Sequence, residues 1–181
     1  MIRRLGLVCL LVLGVPAVAA AQDHAGHSQH AGDADREIKA LSDSDVAGLL
    51  AGEGMGYALA AELNRHPGPR HVLDLTAELA LTEEQIEEII RIFDTMNAGA
   101  RELGSRLVEG ERELDQLFRH GGATGDRVRT VVLAIAELEG ELRWLHLEAH
   151  LQTTALLSEE QIRRYDEARG YDADHSGHHP H

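Results

Sequence analysis

Cysteine is all but missing from this chain of 181 residues, where Cys9 stands alone. It sits in an N-terminal stretch built like a secretion signal, so a processed chain would carry no thiol. Disulfides, cysteine-ligated zinc and Cys–His nucleophilic chemistry are thereby excluded. Positive charge is also scarce. The formal net charge is −14, and it becomes −16 when Arg3 and Arg4 leave with the signal. Such a chain suits neither nucleic acid nor an anionic membrane surface. Cationic partners or metal ions fit the charge, and solubility alone is the plainer reading. Strand-like alternation, a glycine-rich phosphate loop and a nucleophile elbow are absent as well. We therefore expect an all-α protein that is not an enzyme, with no catalytic or cofactor-binding residue.

The signal reading rests on basic Arg3 and Arg4, the apolar run Leu5–Val15, and Ala19-Ala20-Ala21, which place a cut before Gln22. The apolar run is too short for a stable membrane span, so a periplasmic location without membrane insertion is expected. Residues 22–36 and 172–181 are small, polar and poor in helix formers, and both are expected to be disordered. Seven of the 12 histidines fall in them: His24, His27 and His30, then His175, His178, His179 and His181. Histidine-rich tracts bind divalent metals, although a solvated tail with incidental histidines has the same composition. A cut after Ala21 would also leave Gln22-Asp23-His24, whose amine, two amides and imidazole suit square-planar Cu(II) or Ni(II).

Between the tails, residues 37–171 read as one helical domain. Leu81-Thr82-Glu83-Glu84-Gln85-Ile86 and Leu157-Ser158-Glu159-Glu160-Gln161-Ile162 are near copies. Each is a capping box, with a hydroxyl N-cap, a glutamine three residues on, and a Leu–Ile staple. Short helices are expected over 43–52, 55–64 and 70–80, with a turn at Asn64–Pro69. A long helix follows from Glu83 to about Arg119. Its seam runs Ile86, Ile89, Phe93, Met96, Ala100, Leu103, Leu107, Gly110, Leu114 and Leu117, a heptad spacing. A second spans about 126–156, with seam positions Val128, Val131, Ile135, Leu138, Leu142, Leu145, Ala149, Gln152 and Leu156. The short glycine-rich link between them implies a long antiparallel hairpin. A further apolar row, Leu133, Ala136, Gly140, Trp144, Leu147 and Leu151, needs a second neighbour. Either the short helices or a second subunit would serve, and a homodimer is favoured. A last short helix covers Glu159–Arg169.

His146 and His150 lie one helical turn apart on the second long helix, so both rings can converge on one ion. His146-Leu-Glu148-Ala-His150 is neither the HExxH of metalloproteases nor a di-iron Glu-x-x-His motif. Two readings stand: polar residues flanking the seam, or two ligands of a metal site. A site would need a third ligand from His66, His71, His120 or another subunit.

The paired L-[TS]-E-E-Q-I motifs in a signal-bearing helical chain resemble the Spy/CpxP superfamily of periplasmic stress proteins, identified by its LTxxQ motif. The resemblance covers roughly residues 65–171. His71-Val72-Leu73-Asp74-Leu75 and Tyr165-Asp166 look like further family features. It implies a hooked all-helical hairpin that dimerises. One branch comprises ATP-independent holdase chaperones for unfolded periplasmic proteins. The other binds zinc, nickel, cobalt or copper for resistance systems, as sensor or buffer. The Spy cradle is basic where this chain is acidic. The nickel and cobalt sensors carry a second histidine where Leu75 follows His71. The histidine-rich termini are similar to those of the zinc-resistance-associated member. The resemblance thus implies a metal-responsive periplasmic stress protein with holdase activity. A pure metal sensor or buffer, and a coiled-coil adaptor to an envelope sensor kinase, are the alternatives. No metal is expected to be needed for folding.

Overall fold

The computed structural model describes residues 33–171. The signal, its cut site, the Gln22-Asp23-His24 terminus and all seven tail histidines lie outside the described residues. A 3-10 turn, Asp33–Asp35, precedes six helices: α1 Asp43–Ala51, α2 Leu59–Glu62, α3 Pro69–Asp74, α4 Glu83–Arg119, α5 Gly125–Leu156 and α6 Glu159–Arg169. Among the described residues there is no strand, and no helix is long and apolar enough to cross a membrane.

The hairpin is the frame. Helices α4 and α5, of 37 and 32 residues, pack against each other along most of their length. Buried Ala100, Leu107 and Leu117 of α4 meet Val131, Ile135, Leu138 and Leu142 of α5 in one core. Helices α4 and α6 both start where the residues say. Thr82 accepts from the Gln85 amide while the Gln85 side chain caps Thr82 N–H, and Ser158 and Gln161 do the same for α6. The two glutamines also bond one another, Gln85 Nε2 to Gln161 Oε1 at 3.1 Å and Gln161 Nε2 to Gln85 Oε1 at 3.0 Å. The repeated motif therefore clamps two helix starts together at one end of the hairpin, which we call the base.

Several expectations are corrected. The helix expected over 55–64 shrinks to Leu59–Glu62, because Met55 and Gly56 both adopt positive φ, 41° and 79°. The one expected over 70–80 starts earlier, with Pro69 at its first turn, and stops at Asp74, with turns following up to Ala80. Asp33–Asp35 and an Arg36–Asp33 ion pair at 2.9 Å give structure to the last part of the supposed disordered tail. At the end of α5 the heptad gives way to the ordinary helical period: Gln152 is exposed and Thr153 is buried in its place. The second row of α5 is not covered by the short helices, since Leu133, Trp144 and Leu151 are 54%, 55% and 48% exposed. Helix α1 packs instead on α4. A side chain at Gly104 would overlap the Leu49 carbonyl, so glycine is what allows α1 to sit so close.

Candidate functional site

Helices α2 and α3 lie across the base half of the hairpin, and the start of α3 and the loop after α1 border a cavity of about 500 Å³. Its walls are the Ala51–Gly54 loop, Gly68–His71 at the start of α3, Phe93, Met96 and Asn97 of α4, and His146 and His150 of α5. The loop is pinned by Asn97, whose Nδ2 donates to the carbonyls of Ala51 at 3.1 Å and Gly52 at 3.3 Å. The pair singled out by its spacing thus faces one cavity, on the flank of α5 that α2 and α3 cover.

The two imidazoles are held differently. His150 Nδ1 lies 2.7 Å from the His66 carbonyl, which can only accept, so Nδ1 is the protonated nitrogen and Nε2 keeps its lone pair. Nε2 points toward Gly68, where a Cβ would stand only 2.6 Å away. His146 is 2% exposed and stacks on Tyr57, with ring centroids 5.9 Å apart and planes 5° from parallel. Its Nε2 is buried and has no hydrogen-bond partner. Burial, aided by His150, pushes His146 down to about 4, so its ring is neutral at neutral pH. Burial lowers His150 too, partly offset by the His66 carbonyl and by Glu62. Neutral imidazole is the form that ligates metals.

Behind His150 stands a carboxylate that the sequence did not single out. Glu62, 7% exposed, accepts from Tyr165 Oη at 2.5 Å and Tyr171 Oη at 3.0 Å on Oε1. Its Oε2 accepts from the Gly68 amide at 3.3 Å and lies 3.9 Å from His150 Nδ1. Arg169 Nε approaches Oε1 at 3.6 Å. Burial, with the Glu62 hydrogen bond second, pushes the Tyr165 hydroxyl pKa up. No local motif marks this cluster, because its partners come from positions about 100 residues apart in the chain.

The other candidates for a third ligand scatter. His71 lines the same cavity but leans toward Asp74, Nδ1 to Oδ2 at 3.9 Å. His66 turns its ring to the Asn64 carbonyl at 2.7 Å. His120 is exposed at the end of α4, far along the hairpin. Among the described residues, no three His, Cys, Asp or Glu side chains are grouped to hold a metal ion. Met96 supplies a soft sulfur donor on the cavity wall. Set against known family models, curated proteins and solved structures, the chain matches none.

Proposed function

We propose that this chain is a metal-binding, helical-hairpin stress protein of the cell envelope, and that the cavity of His146 and His150 is its internal site for a divalent transition ion such as zinc, nickel, cobalt or copper. One observation carries the reading: the state of the two ring nitrogens. The backbone bond at His150 Nδ1 is the outer-shell contact that orients a ligating imidazole. A buried ring nitrogen without a partner, as at His146, costs on the order of 1–3 kcal/mol. A bound ion would relieve that cost. The periplasmic setting is supported by the signal-like N-terminus, and kinship with the Spy/CpxP proteins by the doubled capping motif.

A second activity is supported by a separate surface. The row of Leu133, Trp144 and Leu151 lies opposite the α4 face and is open. Such a face suits a homodimer or the holding of unfolded proteins without ATP. A metal buffer without clients, and an adaptor to an envelope sensor kinase, are the rival readings.

Calorimetric titration of the full secreted chain with zinc and with nickel tests the metal site. His146→Ala and His150→Ala should each weaken the tightest site at least tenfold. Gly68→Ala should do so as well, by driving a methyl against His150 Nε2. Unchanged affinity in the histidine variants would remove the cavity from the account. Light scattering of an unfolding client, with Trp144→Asp beside the wild type, separates holdase from buffer. Suppression lost in the variant supports the holdase, and no suppression by either protein leaves the buffer or the adaptor.

A further inference from the structure

Two imidazoles need company to hold an ion. Among the described residues no three His, Cys, Asp or Glu side chains are grouped for that task, so a further ligand must be of another kind. The cavity wall offers one.

Met96 lines the cavity from α4. It is 8% exposed and shares a packed cluster with Ala149 of α5. Ala149 comes three residues after His146 and one before His150. The thioether is therefore lodged against the very turn of α5 that carries both imidazoles. Met55 has no such place, because its sulfur is turned to Gly48, where a Cβ would stand 3.0 Å away.

The surroundings also set the charge of the guest. Both rings are neutral donors: His150 Nδ1 is held by the His66 carbonyl, and His146 Nε2 has no partner. The nearby carboxylates are committed elsewhere. Glu62, behind His150, accepts from Tyr165, Tyr171 and the Gly68 amide, and Arg169 approaches it. Asp74, beside His71, pairs with Arg70 at 3.6 Å. Glu53 borders the cavity but brings its Oε2 to Gly48. Arg70 lies on the wall itself, with its guanidinium 5.8 Å from the Phe93 ring centroid. A fixed cation on the wall disfavours a doubly charged guest, and the cost of taking an ion out of water rises with the square of its charge. The Tyr57 ring, stacked on His146, keeps that side of the site dry. Softness points the same way. Thioether sulfur selects Cu(I), whereas zinc takes thiolate, imidazole and carboxylate, four ligands in a closed site.

We infer that the cavity holds copper in its monovalent state, with His146, His150 and Met96 as ligands, and that it takes divalent ions less tightly. The inference rests on the cavity being a metal site, as proposed above, and narrows which ion it keeps. Ag(I), of the same charge and softness, enters the same place.

Competition titrations test this, with Cu(I) kept reduced by ascorbate without oxygen and set against a chromophoric cuprous chelator. Zn(II) is titrated separately against a zinc chelator, and Ag(I) by calorimetry. Every protein is the full secreted chain with the seven histidines outside residues 33–171 changed to Ala, so that the cavity is read alone. One Cu(I) per chain should bind, more tightly than Zn(II). Met96→Leu, which keeps the apolar volume, should weaken Cu(I) and Ag(I) at least tenfold and leave Zn(II) nearly unchanged. His146→Ala and His150→Ala should weaken all three ions at least tenfold. X-ray absorption at the copper edge should show a sulfur neighbour, lost in Met96→Leu. Cu(I) binding that ignores Met96→Leu but needs the histidines would overturn the inference and leave the cavity site standing, as would Zn(II) binding there more tightly than Cu(I). Binding of every ion that ignores both histidine variants would instead remove the cavity from the account, and the inference with it. Circular dichroism melts of each variant control for unfolding.

Discussion

The two ends of the hairpin are built on different principles. At the tip, α4 and α5 are held by apolar seam residues such as Leu117 and Val131, and Arg112 and Arg119 make ion pairs around them. Arg112 there bonds Glu37 and Glu109, whose side chains are 76% and 71% exposed. At the base, polar groups are taken inside. Glu62, Thr153, Asp166 and His146 are all buried, alongside the fully buried Tyr165. Each of the first three has partners, Thr153 through a bond to the Ala149 carbonyl at 2.7 Å and Asp166 through Arg65 at 3.3 Å. His146 Nε2 does not. Buried polar groups are ordinarily satisfied, so among the described residues His146 is the exception at the base.

The contrast is broken most severely at Glu62. Replacing it with Ala strands the Tyr165 hydroxyl and the Gly68 amide in the interior and frees Tyr171 and Arg169. Removing one partner of a buried charged cluster costs about 3–5 kcal/mol. Guanidinium unfolding of Glu62→Ala should register that loss, with Glu62→Gln recovering part of it. A loss under about 1 kcal/mol would mean that the base is held by its apolar contacts, as the tip is.

Next in size is the pH dependence carried by the histidines. In the unfolded chain an imidazole titrates near 6.5, and in the fold His146 titrates at about 4. Between these values the unfolded chain binds more protons, so stability is full above about pH 6.5 and falls as pH drops toward 4. His150 shifts in the same direction. The loss should be on the order of 2 kcal/mol across that window, less than the full shift implies because water entry relaxes a buried charge. His146→Leu should flatten the profile and leave the fold equally stable or more so at pH 7, since it replaces an unpartnered polar ring with apolar volume. A wild-type profile that is flat from pH 7 to 4 would show that His146 reaches solvent or a partner.

A smaller effect belongs to the glutamine pair. Gln85→Ala and Gln161→Ala each remove half of a capping box, at about 1 kcal/mol. Because the two amides also bond each other, a double-mutant cycle should give a coupling of ~0.5–1.5 kcal/mol. This pair also shows what the residues announce and what they conceal. Each box is legible on its own, since a cap and its reciprocal partner stand three positions apart. The heptad steps announced α4 and α5 in the same way, within a residue of their ends. Their meeting across 76 positions has no local signature, and neither has the convergence of Glu62, Tyr165 and Tyr171. Gly104 carries no signal of its own in the sequence, and only the approach of Leu49 gives it a role. Of the site, the i,i+4 spacing revealed His146 and His150. The His66 carbonyl that accepts from His150 Nδ1 and the opening at Gly68 come from a turn whose path depends on the whole base.

The least effect is expected at the tip, and it is the control for all the others. Arg112 makes two ion pairs, to Glu37 at 3.2 Å and to Glu109 at 2.5 Å, which on paper exceeds what holds many buried groups. Both acceptors are open to solvent, so their charges are already well hydrated and the pairs exchange one good environment for another. Exposed pairs of this kind contribute ~0–1 kcal/mol and are screened by salt. Arg112→Ala should therefore leave the unfolding midpoint almost unchanged, and 0.5 M sodium chloride should erase any difference. The N-terminal segment would stay in place, because Ile38, only 3% exposed, remains in the core beside the seam residues of both long helices. A clear drop in the midpoint that persists in salt would mean that charge holds the tip as it holds the base.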